Sequence, residues 1–142
     1  QLAFGNSEEF ALIDSEDFKN LKVKVARDYL TKEKGLMGLK ELEGFNGMLF
    51  LYNKESIVNI WMKDTFIPLD IIFIDKKKKI SSIREGIPNS KNLILKNQKV
   101  IAVLEIPRGC SNKLKIKKGK TINWVLNSFF EKKNIEYYHC LQ

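Results

Sequence analysis

The sequence predicts an α+β fold that is mostly β: a strongly curved sheet or small barrel-like core with two or three short helices. Two observations carry that expectation. Short apolar or alternating runs recur along the chain, each closed by Gly, Pro, Asn or a charged cluster, as many short strands require. Helical spacing is confined to a few segments, and no repeat, linker or low-complexity stretch divides the 142 residues. That length suits one domain, so residues 1–142 are read as a single unit.

Phe10 to Asp14 reads as a short strand, and Ser15 to Asn20 as a polar turn. Leu21, Val23 and Val25 alternate with Lys22 and Lys24 in the pattern of a half-buried strand. Thr31 to Glu43 predicts a helix capped by Thr31, with Leu36, Leu39 and Leu42 at helical spacing. Gly35 and Gly38 weaken it, and Gly44 ends it. Gly47 to Tyr52 is a strand, Asn53 to Ser56 a polar turn, and Val58 to Lys63 a further strand. Phe66 to Pro68 bends the chain into the most hydrophobic strand, Leu69 to Ile74. Asp75 to Lys79 turns the chain into Ile80 to Ile83, and its lysines are read as a solvated hairpin tip. Pro88, Asn89, Ser90 and Asn92 make Glu85 to Lys99 an irregular loop with a brief strand. Val100 to Ile106 is a strand stopped by Pro107, and Ser111 to Leu114 makes one helical turn. Leu114, Ile116, Gly119 and Ile122 lead to a last strand, and Trp124 to Lys133 predicts a terminal amphipathic helix before a tail, Tyr137 to Gln142.

The hydrophobic fraction of 44% supports a real core, so disulfide or metal staples are optional. No apolar run approaches the roughly 20 residues of a membrane-spanning helix. The chain starts at Gln1, as a processed product would after loss of a signal peptide, or as a cloning boundary would leave it. Export to a periplasmic or extracellular location is the expectation. Cys110 and Cys140 are the only cysteines: they are either one disulfide suited to an oxidising compartment or two unrelated thiols. The net charge of +8 comes from 25 Lys and Arg against 17 Asp and Glu, spread along the chain and nearly all Lys on the positive side. Such dispersed point charges favour acidic surfaces without specifying a partner.

Four stretches share an order and spacing with one family: Lys34 to Met37, Gly47 to Phe50, Trp61 to Asp75 and Val103 to Gly109. On these motifs the chain resembles the domain of unknown function 192 family, over a core of about Leu21 to Ile122. The resemblance implies a compact, mostly β domain, often exported from bacteria or archaea, with no established reaction. The sequence departs from the family pattern at Cys110, where a small residue is typical, and in its Lys-rich turn. The segment 123–142, read as C-terminal helix and tail, lies outside the shared region.

His139 is the only histidine, which argues against a Ser-His-Asp triad, a Cys-His pair and a multi-histidine zinc site. No glycine-rich phosphate loop of standard spacing is found, and no cofactor is expected. The remaining chemistry lies in polar residues set among apolar strands: Lys63, Asp64, Thr65, Asp70, Glu85 and Glu105, with Trp61 beside them. A lone buried carboxylate is costly, so Asp70 and Glu105 must be paired, hydrogen-bonded or facing a cavity. In a functional reading, Asp70 and Glu105 line a pocket, Lys63 sets their charge and Trp61 forms an apolar wall. In a structural reading, Asp70 caps backbone donors at the Pro68 bend and Lys63–Glu105 is a buried pair. Met37, Met48 and Met62 suit Cu(I) as soft ligands, yet also serve as core filling. Gly35, Gly44, Gly47 and Gly109 admit a ligand near the backbone or, more plainly, serve turns of positive φ.

Three functions follow in order. The first is a non-enzymatic binding or accessory domain, monomeric or weakly oligomeric, for an unknown small molecule or partner protein. The second is an acid–base hydrolase or lyase using Asp70 or Glu105. The third is binding to nucleic acid or an anionic surface, disfavoured because no aromatic residues alternate with the lysines.

Overall fold

Alternating burial sets the first strands. The structure, a computed structural model, describes residues 8–95, 99–126 and 137–140. β1 (Phe10–Asp14) and β2 (Leu21–Ala26) pair antiparallel across a turn in which Asp14 Oδ1 accepts from Asn20 N at 2.8 Å. α1 (Tyr29–Lys34) follows, and it is earlier and shorter than the helix expected from Thr31 to Glu43. Its cap is Asp28, whose carboxylate accepts from Thr31 N at 2.7 Å and Thr31 Oγ1 at 2.6 Å. Gly35, at φ 49°, ends it in a conformation that other residues avoid. Leu36, Leu39 and Leu42 still reach the core, from turns rather than from a helix.

β3 (Met48–Ser56) continues through the polar stretch expected as a turn, because its far end resumes pairing at Ser56↔Val100 after an irregularity. β4 (Asn59–Ile60) is only a fragment of the expected strand over Val58 to Lys63. The chain turns at once: Thr65 N donates to Met62 O at 3.0 Å and Asp64 takes φ 55°. β5 (Leu69–Ile74) and β6 (Ile80–Gly86) form the expected hairpin, β6 running three residues beyond Ile83. At its tip Asp75 Oδ1 accepts from Lys77 N and Lys79 N at 2.8 and 3.0 Å, leaving the lysines mostly in water. β7 (Ile94–Leu95) is the brief strand of the irregular loop. β8 (Val100–Pro107) leads into α2 (Cys110–Lys113), the predicted helical turn. β9 (Asn123–Leu126) is the expected last strand, and it runs into Trp124 to Leu126, where the terminal helix was expected to start. The free edge of β1 recruits it, and its alternate residues Trp124 and Leu126 pack on the core. The rest of that helix, 127–133, lies outside the described residues, as do tail positions 141–142.

Among the described residues, seven strands form one sheet in the order β6-β5-β8-β3-β2-β1-β9, antiparallel except for β2–β3, while β4 and β7 make a separate ribbon. The parallel pair needs a crossover, which α1 and residues 35–47 provide. The sheet curls until its edges approach. The segment 119–122 bonds to β6 and its turn through Gly119 N to Ile80 O and Ile122 N to Lys78 O, both 2.8 Å, before entering β9 at the opposite edge. One core fills the inside of this half-barrel and draws on both edges, from Ile80 to Ile13 and Ile122. A second lies on the other face, where Met48, Phe50, Ile71 and Phe73 pack under Leu36, Val58, Met62 and Ile67. Two helices are present among the described residues, and none is long and apolar enough to cross a membrane.

The tail residues 137–140 are held to the sheet. Cys140 is bridged to Cys110, with Cα atoms 5.8 Å apart. Asn46, buried, donates from Nδ2 to Tyr138 O at 2.9 Å and accepts at Oδ1 from Cys140 N at 3.0 Å.

Candidate functional site

Strand register decides which carboxyls share a face. Glu105 on β8 stands opposite Ile71 on β5 and Met48 on β3. Successive residues of a strand point to opposite faces, so Asp70, next to Ile71, projects from the other side. The pocket expected to hold both Asp70 and Glu105 therefore does not form. Asp70 Oδ2 instead accepts from Gly109 N at 3.1 Å, Ser111 N at 3.1 Å and Ser111 Oγ at 2.6 Å. It fastens the corner between β8 and α2, beside the bond from Arg108 N to Pro68 O at 2.9 Å.

The other expected partners separate as well. Lys63 sits exposed on the 62–65 turn with its Nζ 5.4 Å from the Trp61 ring, and no ion pair joins it to Glu105. The turn that cuts β4 short aims it outward. Glu85 is exposed and ion-paired with the Arg108 guanidinium. Asp64 holds the turn through its backbone, its N–H donating to Asn89 Oδ1 at 3.1 Å and its carbonyl accepting from Gly38 N at 2.8 Å.

Trp61, Thr65 and Glu105 do come together, lining an open cavity of about 450 Å³ on the outer face of the sheet. Burial orders its depth. Glu105 is 5% exposed and forms the floor with Phe50, whereas Tyr29, Ile57 and Trp61 are exposed at the mouth. Leu36 and Val58 supply apolar wall, Tyr52 a half-buried phenol, and Lys32 a cation whose Nζ lies 4.0 Å from the Tyr52 ring centroid. A shallower hollow of about 350 Å³ adjoins it and holds Lys63 and Asp64. Gly47 runs hard against β8 at the site: a Cβ there would collide with the Glu105 carbonyl oxygen.

The Glu105 carboxyl has no hydrogen-bond or ion-pair partner among the described residues. Burial pushes its pKa up from 4.5 to about 8, so the neutral acid prevails at neutral pH. Burial, then the charge of Glu105, pushes the Tyr52 phenol to about 12. Burial draws the Lys32 ammonium down, opposed by the charge of Asp28. A neutral carboxylic acid in an apolar cavity both donates and accepts a hydrogen bond, and is a proton store near neutral pH.

Met37 lines this cavity, while Met48 and Met62 are buried in the core of that face. No group of three or more His, Cys, Asp or Glu among the described residues is placed to hold a metal ion. Tyr52 and Lys32 are site residues that the sequence reading missed. Tyr52 had a signal, since it alternates with Met48 and Phe50 on one face of β3. Lys32 had none, because its place depends on where α1 docks.

The family model for DUF192, described as an uncharacterized ACR, matches residues 11–124. No curated protein matches the chain. A crystal structure of a protein of unknown function from Novosphingobium aromaticivorans DSM 12444 is 30% identical with a TM-score of 0.71, covering 81% of this chain and 84% of that one. Another, described as a candidate transcription regulator from Sinorhizobium meliloti 1021, is 28% identical with a TM-score of 0.74, covering 87% and 97%.

Proposed function

The chain belongs to the DUF192 family, and from its geometry we propose a non-enzymatic binding domain whose small-molecule ligand occupies the cavity floored by Glu105. One observation carries the reading: a buried carboxyl faces that cavity without a partner among the described residues. A polar group that opens onto a partly apolar cavity of several hundred Å³ is the usual form of a ligand site. The bridge between Cys110 and Cys140 supports export to an oxidising compartment, periplasmic or extracellular. The test is a fragment library followed by amide chemical shifts. Binding at this site perturbs Phe50, Tyr52, Thr65 and Glu105 together. Hits that leave those four unmoved would exclude the cavity as the site.

A second reading is favoured by the raised pKa of Glu105, which suits a general acid or base near neutral pH. In that case a bound fragment is turned over, and Glu105→Gln abolishes turnover while retaining binding. The basic charge and the description of the Sinorhizobium relative favour a third reading, nucleic-acid binding. It ranks last because the hairpin lysines are a solvated tip rather than a stacking platform. It requires duplex affinity that falls steeply with salt.

A further inference from the structure

We propose that the Glu105 cavity takes a planar aromatic or heteroaromatic acid, its anionic group on Lys32 and Lys34 and a neutral acceptor on the Glu105 carboxyl. This inference rests on the reading of the cavity as a ligand site and adds the chemical class of the ligand.

Shape comes first. Among the described residues, four side chains around the cavity are aromatic: Tyr29, Phe50, Tyr52 and Trp61. Phe50 is buried, but Tyr29 is 76% and Trp61 43% exposed, flanking the mouth. Exposed aromatic faces around a concavity are apolar surface that a flat ligand covers, gaining offset or edge contacts an aliphatic chain does not. Ile57, 63% exposed, extends the same apolar rim.

Charge comes second. Among the described residues, the charged groups facing the cavity are Lys32, Glu33 and Lys34 from the α1 side, with Glu105 on the floor and the phenols of Tyr29 and Tyr52 between. Two ammonium groups against one exposed carboxylate leave the mouth cationic while the floor acid is neutral. Lys32 rests on the π face of Tyr52, which fixes the ammonium without using its hydrogen-bond donors. Those donors remain for an anion. A cationic ligand would meet both lysines on entry and would have to ionise Glu105 where burial resists ionisation. A neutral carbonyl or ring acceptor on the ligand takes the Glu105 proton as a hydrogen bond and asks no ionisation.

The test titrates the full chain with three probes of one size, each carrying a ketone as the neutral acceptor: 6-acetylnaphthalene-2-carboxylate, 6-acetylnaphthalene-2-carboxamide and (6-acetylnaphthalen-2-yl)methylammonium, read by calorimetry. The carboxylate is expected to bind tightest. Charge reversal at the exposed site, Lys32→Glu with Lys34→Glu, is expected to weaken it by about 10-fold or more and spare the carboxamide. Carboxylate affinity is expected to fall as pH rises through about 8, and Glu105→Gln, which keeps a neutral donor, is expected to bind without that fall. If the ammonium probe binds as well as the carboxylate, or charge reversal changes nothing, the cavity remains a ligand site and the assigned class is wrong. If none of the three binds, the assigned class is wrong, and the ligand-site reading is decided separately by the fragment screen.

Discussion

The carboxyls of Asp70 and Glu105 project from opposite faces of one sheet, because Glu105 pairs with Ile71, the residue that follows Asp70. The two acids meet opposite fates. Asp70 is taken up by three donors from Gly109 and Ser111, while Glu105 faces a cavity and is held neutral by burial. One is a fastening, the other is the centre of the candidate site.

Glu105 makes stability depend on pH. Its folded pKa lies above its unfolded value, so the folded state keeps a proton that the unfolded chain releases. That contribution is full below about pH 4.5 and is lost as pH rises to about 8. Its size is on the order of 4 kcal/mol across the window. Glu105→Gln cannot ionise, so thermal unfolding of the parent should decline by roughly 10 °C more than that of the variant between about pH 5 and pH 9. Parallel curves would mean that Glu105 is ionised in the folded protein.

Asp70→Asn should destabilise. The amide oxygen keeps the shape but loses the charge that strengthens three hydrogen bonds to a single oxygen. A cost of about 1–2 kcal/mol, or several degrees in Tm, is expected, with Asp70→Ala costing more. An unchanged or raised midpoint would contradict the fastening role and return Asp70 to the candidate site.

The docked tail should depend on both its covalent and its polar anchors. Closing the loop between Cys110 and Cys140, 30 residues apart, stabilises by about 3–4 kcal/mol on the chain-entropy model. Replacing both cysteines by serine should lower the Tm accordingly. Asn46→Ala should add about 1–3 kcal/mol by stranding Cys140 N and Tyr138 O. Hydrogen exchange at 138–140 checks the latter, since retained protection in Asn46→Ala would show that the bridge alone holds the tail.

Gly47→Ala should be among the most damaging single-methyl changes. The position has φ 150° and its added Cβ would strike β8 backbone at Glu105, which has no flexible side chain to yield. A loss above about 2 kcal/mol is expected from denaturant melts, and a neutral result would show that the β3 lead-in can shift.

Strands were legible where alternation or an unbroken apolar run is long, as in Leu21 to Val25 and Leu69 to Ile74. The helical spacing of Leu36, Leu39 and Leu42 misplaces the helix, because Gly35 stops it before them. Spacing reports which residues reach the core, and a turn can deliver them as well as a helix. The last strand is legible, but its extent through Trp124 to Leu126 is not, because its pairing with β1 is non-local. In the site, Glu105 and its burial were visible in Leu104-Glu105-Ile106, and so was Trp61. The separation of Asp70 from Glu105 was not, since alternation within each strand leaves the relative register open and only pairing fixes it. Lys32 and Tyr52 meet across that same pairing and the docking of α1.

The most direct measurement is the titration of the Glu105 side-chain carbon by NMR, assigned by its disappearance in Glu105→Gln. A midpoint near 8 is expected, with the Phe50 and Tyr52 amides following the same curve. A midpoint near the ordinary 4.5 would mean a solvated, ionised carboxylate, and the neutral acid at the centre of the proposed site would not exist.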